Sequence, residues 1–579
     1  MVGVGGSLRR PHIKTEEAIN ITSQAHPTDT YPRNSHFGEG TIASNTSQHQ
    51  GFHRGSNSVF MDEVNSNRYK RSNARLIRYC LVPATLAVIY GMGVAQTSGF
   101  LAMTEYNQDF GEYNSATGTK ALTAPQISGL TGTTLGAACV SAIFAGTVGT
   151  RYGRKIGLTL AALLYVIGLI LNSAATSYAF VIVGKVILGL AVGLAANFVI
   201  AYWAETSPVK MRGLITLLYG AITNLAQFVG ACIVKGTSEL TTSWAWRGSL
   251  MTEFIPPLIL LIFIYWIPET PRWYASHGKN AQARKSMCQV RGPTWPEEDI
   301  DAEVDDIVGM LEIERQLEGS SSWIHCFQGT DLRRTLLAIA ALLGQEFSGV
   351  AFIAGYGTLF FSLSGVTDPF TTNVISSMCG IAGSLTSFVL IKYVGRRKIL
   401  IVGTVVQTFC MFAFAIIGVA TPGTHAAAKS LVAFVCIFNF SYGASWGPVA
   451  FVLIGELPST KLRSKTLALA TSVGWSFNVL ISVGMPYLLS DAYVMLGTKV
   501  GFIFGGTELL AFIFAFFFLP ETKDRTLEEI DEMFMNKVPA WEFKNYVTTK
   551  TVRGISVGSE MVNVIGQDKG AISHVDRAA

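Results

Sequence analysis

Charge is what this chain has least of. Asp, Glu, Lys and Arg make up 14% of its 579 residues, where a soluble globular chain carries about 25%. That shortage argues against an ordinary water-soluble domain. The formal net charge of +5 is small for this length and does not argue for a nucleic-acid partner. Cysteine is scarce too. There are eight, most of them inside apolar runs, and no CxxC pair occurs. They read as small packing residues, not as a disulfide framework or a zinc site. The sequence has no nucleophile–base, metal-ligand or phosphate-loop constellation, so neither an enzyme nor a cofactor is expected. A secretory leader is also missing. Residues 1–75 are rich in Ser, Asn, Thr, Gly and His without an apolar core, which predicts a disordered tail and leaves the first apolar run to act as targeting signal. The sequons at Asn20 and Asn45 fall in that tail and read as chance matches.

Apolar residues fill the space that charge leaves, at 49% of the chain. A membrane span needs ~20 mostly apolar residues. Twelve such runs occur: near 80–104, 125–149, 156–176, 179–203, 213–235 and 249–267, then 335–363, 371–394, 399–420, 427–454, 464–490 and 499–519. The expected fold is an all-α membrane protein of twelve transmembrane helices in two six-helix halves. Residues 76–267 and 335–519 form the two bundles. Residues 268–334 form a helical linker, with one or two amphipathic helices within 296–318, and 520–579 form a C-terminal tail. Basic residues cluster before the first run (Arg68, Lys70, Arg71, Arg75, Arg78) and in alternate loops, while the other loops hold few, Lys120, Lys235 and Lys499 among them. By the positive-inside rule both termini, the linker and the tail are cytosolic. The lipid bilayer is then the chain's environment, the plasma membrane the expected one, and a monomer the expected state.

The two halves repeat. Gly153-Arg154-Lys155 matches Gly395-Arg396-Arg397, 242 positions apart. Glu205, Pro208 and Arg212 match Glu456, Pro458 and Arg463, the acids being 251 positions apart. Pro268-Glu269-Thr270 matches Pro520-Glu521-Thr522 at 252. Three motifs in one order at nearly one offset indicate a duplicated six-span unit. In duplicated transporters the substrate sits between the repeats near the bilayer midplane, and one half rocks against the other.

The runs YGRKIG, ETSPVKMRG, PETPRW, VGRRK, WGPVAFVLIGELPSTKLRSK and PETKDRTLEEI closely resemble the motifs of the sugar porter family of the major facilitator superfamily, over roughly residues 80–535. The runs QEFSG, GYGTLFF and GELPSTKLRSKTLALA resemble its fungal hexose and α-glucoside permease branches. The resemblance implies sugar transport by alternating access, through facilitated diffusion or proton symport. A non-transporting sugar sensor, or a carrier of another polyol or organic acid such as inositol or quinate, stays open. It implies intracellular ion pairs among Glu205, Arg212, Glu269, Glu456, Arg463 and Glu521, with Arg154, Arg396 and Arg397 as partners, which hold the halves together when the carrier faces outward. The plainer reading is that these charges only anchor span ends. Thr150 and Lys392 stand where the family usually carries Asp.

For the sugar itself, amides and hydroxyls supply paired hydrogen bonds and aromatic faces supply stacking. Gln345 matches a family sugar ligand. Glu346 replaces a second glutamine, and Ala351 replaces an asparagine. Trp475 and Asn478 match a Trp-x-x-Asn contact. Asn224 or Gln227 serves in the fifth span, Phe451 stands where many members have Trp, and Tyr356 falls in the seventh-span tyrosine motif. Each amide could instead tie helices together, and each aromatic could simply pack. Ala351 and Phe451 imply a larger cavity, which would suit a disaccharide. The family's proton switch pairs a first-span Asp with a fourth-span Arg, and here Gly93 and Lys185 take those places. Three other acids lie in spans: Glu253, Glu346 and Glu508. Intramembrane acids are functional by default. Glu346, beside Gln345, is the expected proton coupler if the carrier is coupled at all. Glu253 and Glu508 read as cavity-edge or packing residues.

Overall fold

The computed structural model describes residues 54–548 except 115–117, 209–211, 294, 321, 365, 422–423, 460 and 491, and among the described helices the side chains at 54–74, 212–216, 313 and 317–320 stay outside the description. The chain divides at Glu63 and Val64, and the membrane bundle lies wholly in the second unit. Among the described residues, twelve helices are long and apolar enough to cross a bilayer. Spans 1 to 6 are Arg75–Ala102, Ala124–Tyr152, Arg154–Ser173, Tyr178–Thr206, Leu217–Thr237 and Trp244–Trp266. Spans 7 to 12 are Gly329–Leu363, Pro369–Tyr393, Arg396–Ala420, His425–Glu456, Arg463–Leu489 and Gly497–Phe517. Each lies within a few residues of its apolar run. The first helix begins at Arg54, well before residue 75, so its polar start is helical where composition predicts a tail. Residues 1–53 and 549–579 lie outside the described residues.

Three spans are broken. Span 6 divides into Trp244–Thr252 and Ile255–Phe263, span 7 into Gly329–Phe347 and Val350–Leu363, and span 10 into His425–Ala444 and Trp446–Glu456. Backbone groups freed at such breaks need partners inside protein or a wet cavity, so broken spans mark the interior of a carrier. With twelve spans, the start of span 1 and the end of span 12 share one face of the bundle, here called the terminal face; the opposite one is the far face. Span 2 packs on span 11 and span 5 on span 8, which joins the halves.

On the terminal face the linker folds into Pro271–Ser276, Asn280–Arg291 and a single long helix, Glu297–Ser320. Ala283, Met287, Ile300 and Val304 form its small core. Arg291 ties it to span 4 by donating to the Thr206 carbonyl at 3.2 Å, while its Nη2 meets Glu303 at 2.5 Å.

Two elements were not expected. A hairpin pairs Glu112–Asn114 with Thr119–Ala121 between spans 1 and 2. The C-terminal segment is not a free tail up to Thr548. Leu527–Met535 is a helix whose Met533 and Phe534, with Phe543 beyond it, are buried in the core of the second half. Its Asp531 takes an ion pair from Arg334 at 2.5 Å, and the same guanidinium lies 4.5 Å above the Phe534 ring.

Candidate functional site

The seventh span breaks at Ser348-Gly349. Gly349 has φ +84°, and a Cβ there would come within 2.7 Å of the Phe504 ring. Ser348 serves both sides of the break: its Oγ donates to the Gln345 carbonyl at 2.7 Å and accepts from the Val350 amide at 3.2 Å. The break leaves Gln345 and Glu346 on the last turn of the first segment, and their side chains part company. Gln345 Nε2 donates to the Tyr442 hydroxyl at 2.9 Å and the Gly447 carbonyl at 3.3 Å, on either side of the break in span 10. Glu346 Oε2 accepts from Asn478 Nδ2 of span 11 at 2.8 Å. One turn before Asn478, the Trp475 ring lies 6.3 Å from that of Tyr90 in span 1. Spans 1, 7, 10 and 11 thus bring a glutamine, a carboxyl, an asparagine and three aromatic rings to the meeting of the two halves. Amides, a carboxyl and ring faces are the groups that hold polyhydroxylated rings.

Four expected ligands lie differently. Asn224 Nδ2 donates to Ser384 Oγ of span 8 at 2.5 Å, so it bonds one half to the other. Gln227, one turn on, is half-buried. Tyr356 does not join the cluster. It is fully buried toward the far face, donating to the Ser482 carbonyl at 2.5 Å with its hydroxyl 2.8 Å from Thr131 Oγ1. Phe451 lies on the exposed side of the second segment of span 10 at 44% exposure, while Trp446 beside it is buried and donates to Thr404 Oγ1 at 2.7 Å. The motifs did not single out Tyr90, Tyr442 or Ser384. Aromatic and hydroxyl residues are common in spans, so only their place in space sets these three apart.

Tyr356 belongs to a far-side seam between the halves. Ser98 Oγ donates to Thr358 Oγ1 at 3.3 Å, Ser128 Oγ to the Val483 carbonyl at 2.7 Å, and Lys235 pairs with Asp368 at 3.1 Å.

The terminal-face charges form two matching clamps. In the first half, Arg154 Nε and Nη2 both reach Glu205 Oε1, at 3.0 and 2.7 Å, and Thr270 Oγ1 donates to Glu205 Oε2 at 2.6 Å. Glu269 caps span 3, accepting from the amides of Arg154 at 3.0 Å and Lys155 at 2.9 Å. In the second half, Arg396 Nη2 reaches Glu456 Oε1 at 2.8 Å and Thr522 Oγ1 reaches Glu456 Oε2 at 2.6 Å. Glu521 caps span 9 through the amides of Arg396 at 2.9 Å and Arg397 at 3.2 Å. A carboxylate suits a helix N-terminus, where free amides and the dipole converge. Burial nonetheless pushes the Glu269 carboxyl up from its ordinary range, and the amides of Thr270, Lys155 and Arg154 oppose that rise. The glycine of each motif makes room: a Cβ at Gly153 or Gly395 would lie 2.3 or 2.6 Å from the capping carboxylate. These pairs act within a half. Arg397 departs from the expected ion pairing, since its Nη2 donates to the Phe516 carbonyl at 2.5 Å. Arg463 keeps Nε and Nη2 buried without partners. The Arg212 side chain lies outside the description.

Of the other intramembrane acids, Glu508 is fully buried with both carboxyl oxygens unpartnered, and Glu253 accepts from Tyr165.

The profile of the family described as Sugar (and other) transporter matches residues 79–534. The chain is 28% identical over 480 residues to hexose transporter HXT10 of Saccharomyces cerevisiae, covering 81% of this chain and 87% of that one. It is 30% identical over 468 residues to the high-affinity gluconate transporter ght3 of Schizosaccharomyces pombe, covering 79% and 83%. Its fold resembles the partially occluded inward-open structure of the xylose transporter XylE from E. coli, with TM-score 0.64 at 20% identity, over 78% of this chain and 100% of that one. A duplicated twelve-span bundle, broken where amides and aromatic rings meet and matched along most of its length, places this chain in the sugar porter family of the major facilitator superfamily.

Proposed function

We propose that the chain carries a neutral monosaccharide or small oligosaccharide together with a proton. The sugar binds between the halves at Gln345, Glu346, Trp475 and Asn478, with Asn224, Gln227 and Phe451 nearer its margins. The observation that carries this reading is the Glu346–Asn478 bond, one turn from the Trp475 ring that meets Tyr90 of the first half, with Gln345 of the same broken turn bonded to span 10. Glu346 favours neutral sugars over gluconate or quinate, because a carboxylate in the site repels an anionic substrate. The proton enters this reading from a solved relative of the fold titled a proton:xylose symporter. The sequence points to Glu346 as the coupler, and Glu346→Gln tests that role directly.

The terminal face is read as cytosolic from its basic residues, and the membrane as the plasma membrane, with the carrier acting as a monomer. The bonds of the far seam support an inward-facing state, with the extracellular side shut. The clamps at Arg154–Glu205 and Arg396–Glu456 then keep each half rigid while it rocks, and Arg463, with two free donors, is poised for a new partner when the cytosolic side closes.

The test is uptake of radiolabelled hexose into proteoliposomes holding the purified full chain, with unlabelled hexoses, disaccharides, inositol, gluconate and quinate as competitors. Saturable flux, inhibited by neutral sugars and not by the anions, is expected. Sugar binding without flux would sink transport in favour of a sensor, and stronger inhibition by the anions would sink the assignment of Glu346.

A further inference from the structure

The helix Val500–Phe517 of span 12 holds one charged residue, Glu508, halfway along an otherwise apolar and aromatic run. It is 0% exposed, and neither carboxyl oxygen has a hydrogen-bond partner. The residues beside it grip the broken seventh span. Thr507 Oγ1 donates to the Phe347 carbonyl at 2.7 Å, just before the break. Phe504, one turn earlier, packs on Gly349 at the break and stacks on Phe352 at 5.9 Å beyond it. Tyr442, which takes the bond from Gln345, is within electrostatic reach of Glu508. An acid without partners thus stands among the residues that hold the turn carrying Gln345 and Glu346.

Span 9 packs antiparallel along span 12. A Cβ on Gly418 would meet Thr498, and one on Gly501 would lie 2.8 Å from the Met411 carbonyl. That register sets Glu508 level with residues 404–408. Two more polar atoms there are buried without partners, Gln407 Oε1 and Thr408 Oγ1. Gln407 reaches toward span 10, donating to Ser445 Oγ at 3.0 Å. An ionised carboxylate only accepts hydrogen bonds, so it adds acceptors to a place already short of donors, whereas a carboxylic acid brings a donor of its own. The titratable groups that the packed spans bring to this level are Glu346 from span 7, Cys410 from span 9 and Tyr442 from span 10, and none is a cation. Lys499 lies nine residues away, roughly 13 Å along the helix axis. An ionised Glu508 would lack both a partner and a counter-charge, in an interior where that is costly.

We propose that Glu508 is a positioning residue for the sugar site: as a neutral acid it lets span 12 close on both sides of the span 7 break, and loss of its proton loosens that grip and weakens sugar binding. The proton leaves a carboxyl oxygen for water and returns from water; no other covalent bond is made or broken. Nothing in this requires that sugar and proton travel together. The proposal rests on the reading that sugar binds at Gln345, and the experiment separates the two.

Proteoliposomes carrying wild type, Glu508→Gln or Gln345→Ala are assayed for counterflow of radiolabelled glucose over a range of pH, held equal inside and outside. Wild-type KM is expected to rise about tenfold as the medium turns alkaline, while Vmax changes by less than about threefold. Glu508→Gln keeps the acid-side KM throughout, because its amide stays neutral. A wild-type KM that is flat with pH overturns the proposal. So does a Glu508→Gln KM that rises as wild type does, since the dependence then belongs to another group such as Glu346. A packing role alone would raise the KM of Glu508→Gln at every pH, and that result overturns it too. An unchanged KM in Gln345→Ala sinks the sugar-site reading instead, and the Glu508→Gln profile still shows whether the acid governs sugar affinity. If glucose is not carried, melting temperatures in detergent decide: wild type should melt below Glu508→Gln by a gap that widens as pH rises, and a constant gap overturns the proposal. Should Glu508→Gln fail to fold, Glu508→Met, uncharged and adaptable in packing, replaces it in both arms.

Discussion

Gln345 and Glu346 are neighbours in sequence and strangers in space. The glutamine reaches back to the broken tenth span, while the glutamate reaches across to span 11. Gln345→Ala removes two bonds and leaves the Tyr442 hydroxyl and the Gly447 carbonyl facing a gap. A loss of about 1.5 kcal/mol, roughly tenfold, is expected in the uptake KM for sugar. A lower melting temperature should accompany it, because two groups inside the protein lose their partner; a KM unchanged within error would remove Gln345 from the site. The sequence made Gln345 and Asn478 readable because amides in apolar runs are rare and carry a spacing. It did not reveal that Tyr356 closes the far seam, since a tyrosine in a span looks the same whether it meets sugar or another helix. Lys185 and Glu253 were each visible, but 68 positions of sequence separate them, and no motif announces that Tyr165 holds the acid while Thr97 holds the base.

Among the elements, the twelve spans were legible almost to their ends because hydrocarbon allows little compromise on apolar length. The breaks were legible only in part. Pro256-Pro257 signals one, whereas Ser348-Gly349 and Ser445 look like ordinary small residues in a membrane helix. The helix Leu527–Met535 was hidden by brevity: nine residues offer too few turns for a periodic signal, and its burial depends on a partner surface distant in sequence. The break in span 7 can be tested directly. Gly349→Ala places a side chain at φ +84° and against Phe504, and a destabilisation of about 2 kcal/mol or more is expected. It should appear as a lower melting temperature in detergent together with weaker sugar binding. A variant as stable as wild type would mean that the turn needs no glycine. In the clamps, Glu521→Ala leaves the amides of Arg396 and Arg397 without their acceptor, at a cost of about 1–3 kcal/mol. The same loss is expected for Glu269→Ala, and unequal losses measured by thermal unfolding would count against the equivalence of the two halves.

For the whole molecule, duplication reaches down to single atoms. Each half carries an arginine on a glutamate, a threonine on the same glutamate's other oxygen, and a second glutamate capping a span. Such halves move as bodies, so transport depends on the seams between them. In a cysteine-depleted background, Ser98→Cys with Thr358→Cys should cross-link on oxidation, since the native oxygens stand 3.3 Å apart. Flux is expected to stop and to return on reduction, and cross-linking that leaves flux intact would show that the far seam does not open. The seam's chemistry carries one more consequence. Apart from Lys235–Asp368, whose side chains are 33% and 42% exposed, its named bonds join hydroxyls to hydroxyls or carbonyls. Dissolved ions weaken bonds between exposed charges over a Debye length of about 8 Å at physiological strength, but leave neutral bonds almost untouched. The latch on the far face is therefore nearly indifferent to the salinity of the medium that bathes it, and the carrier should open as readily in brine as in fresh water.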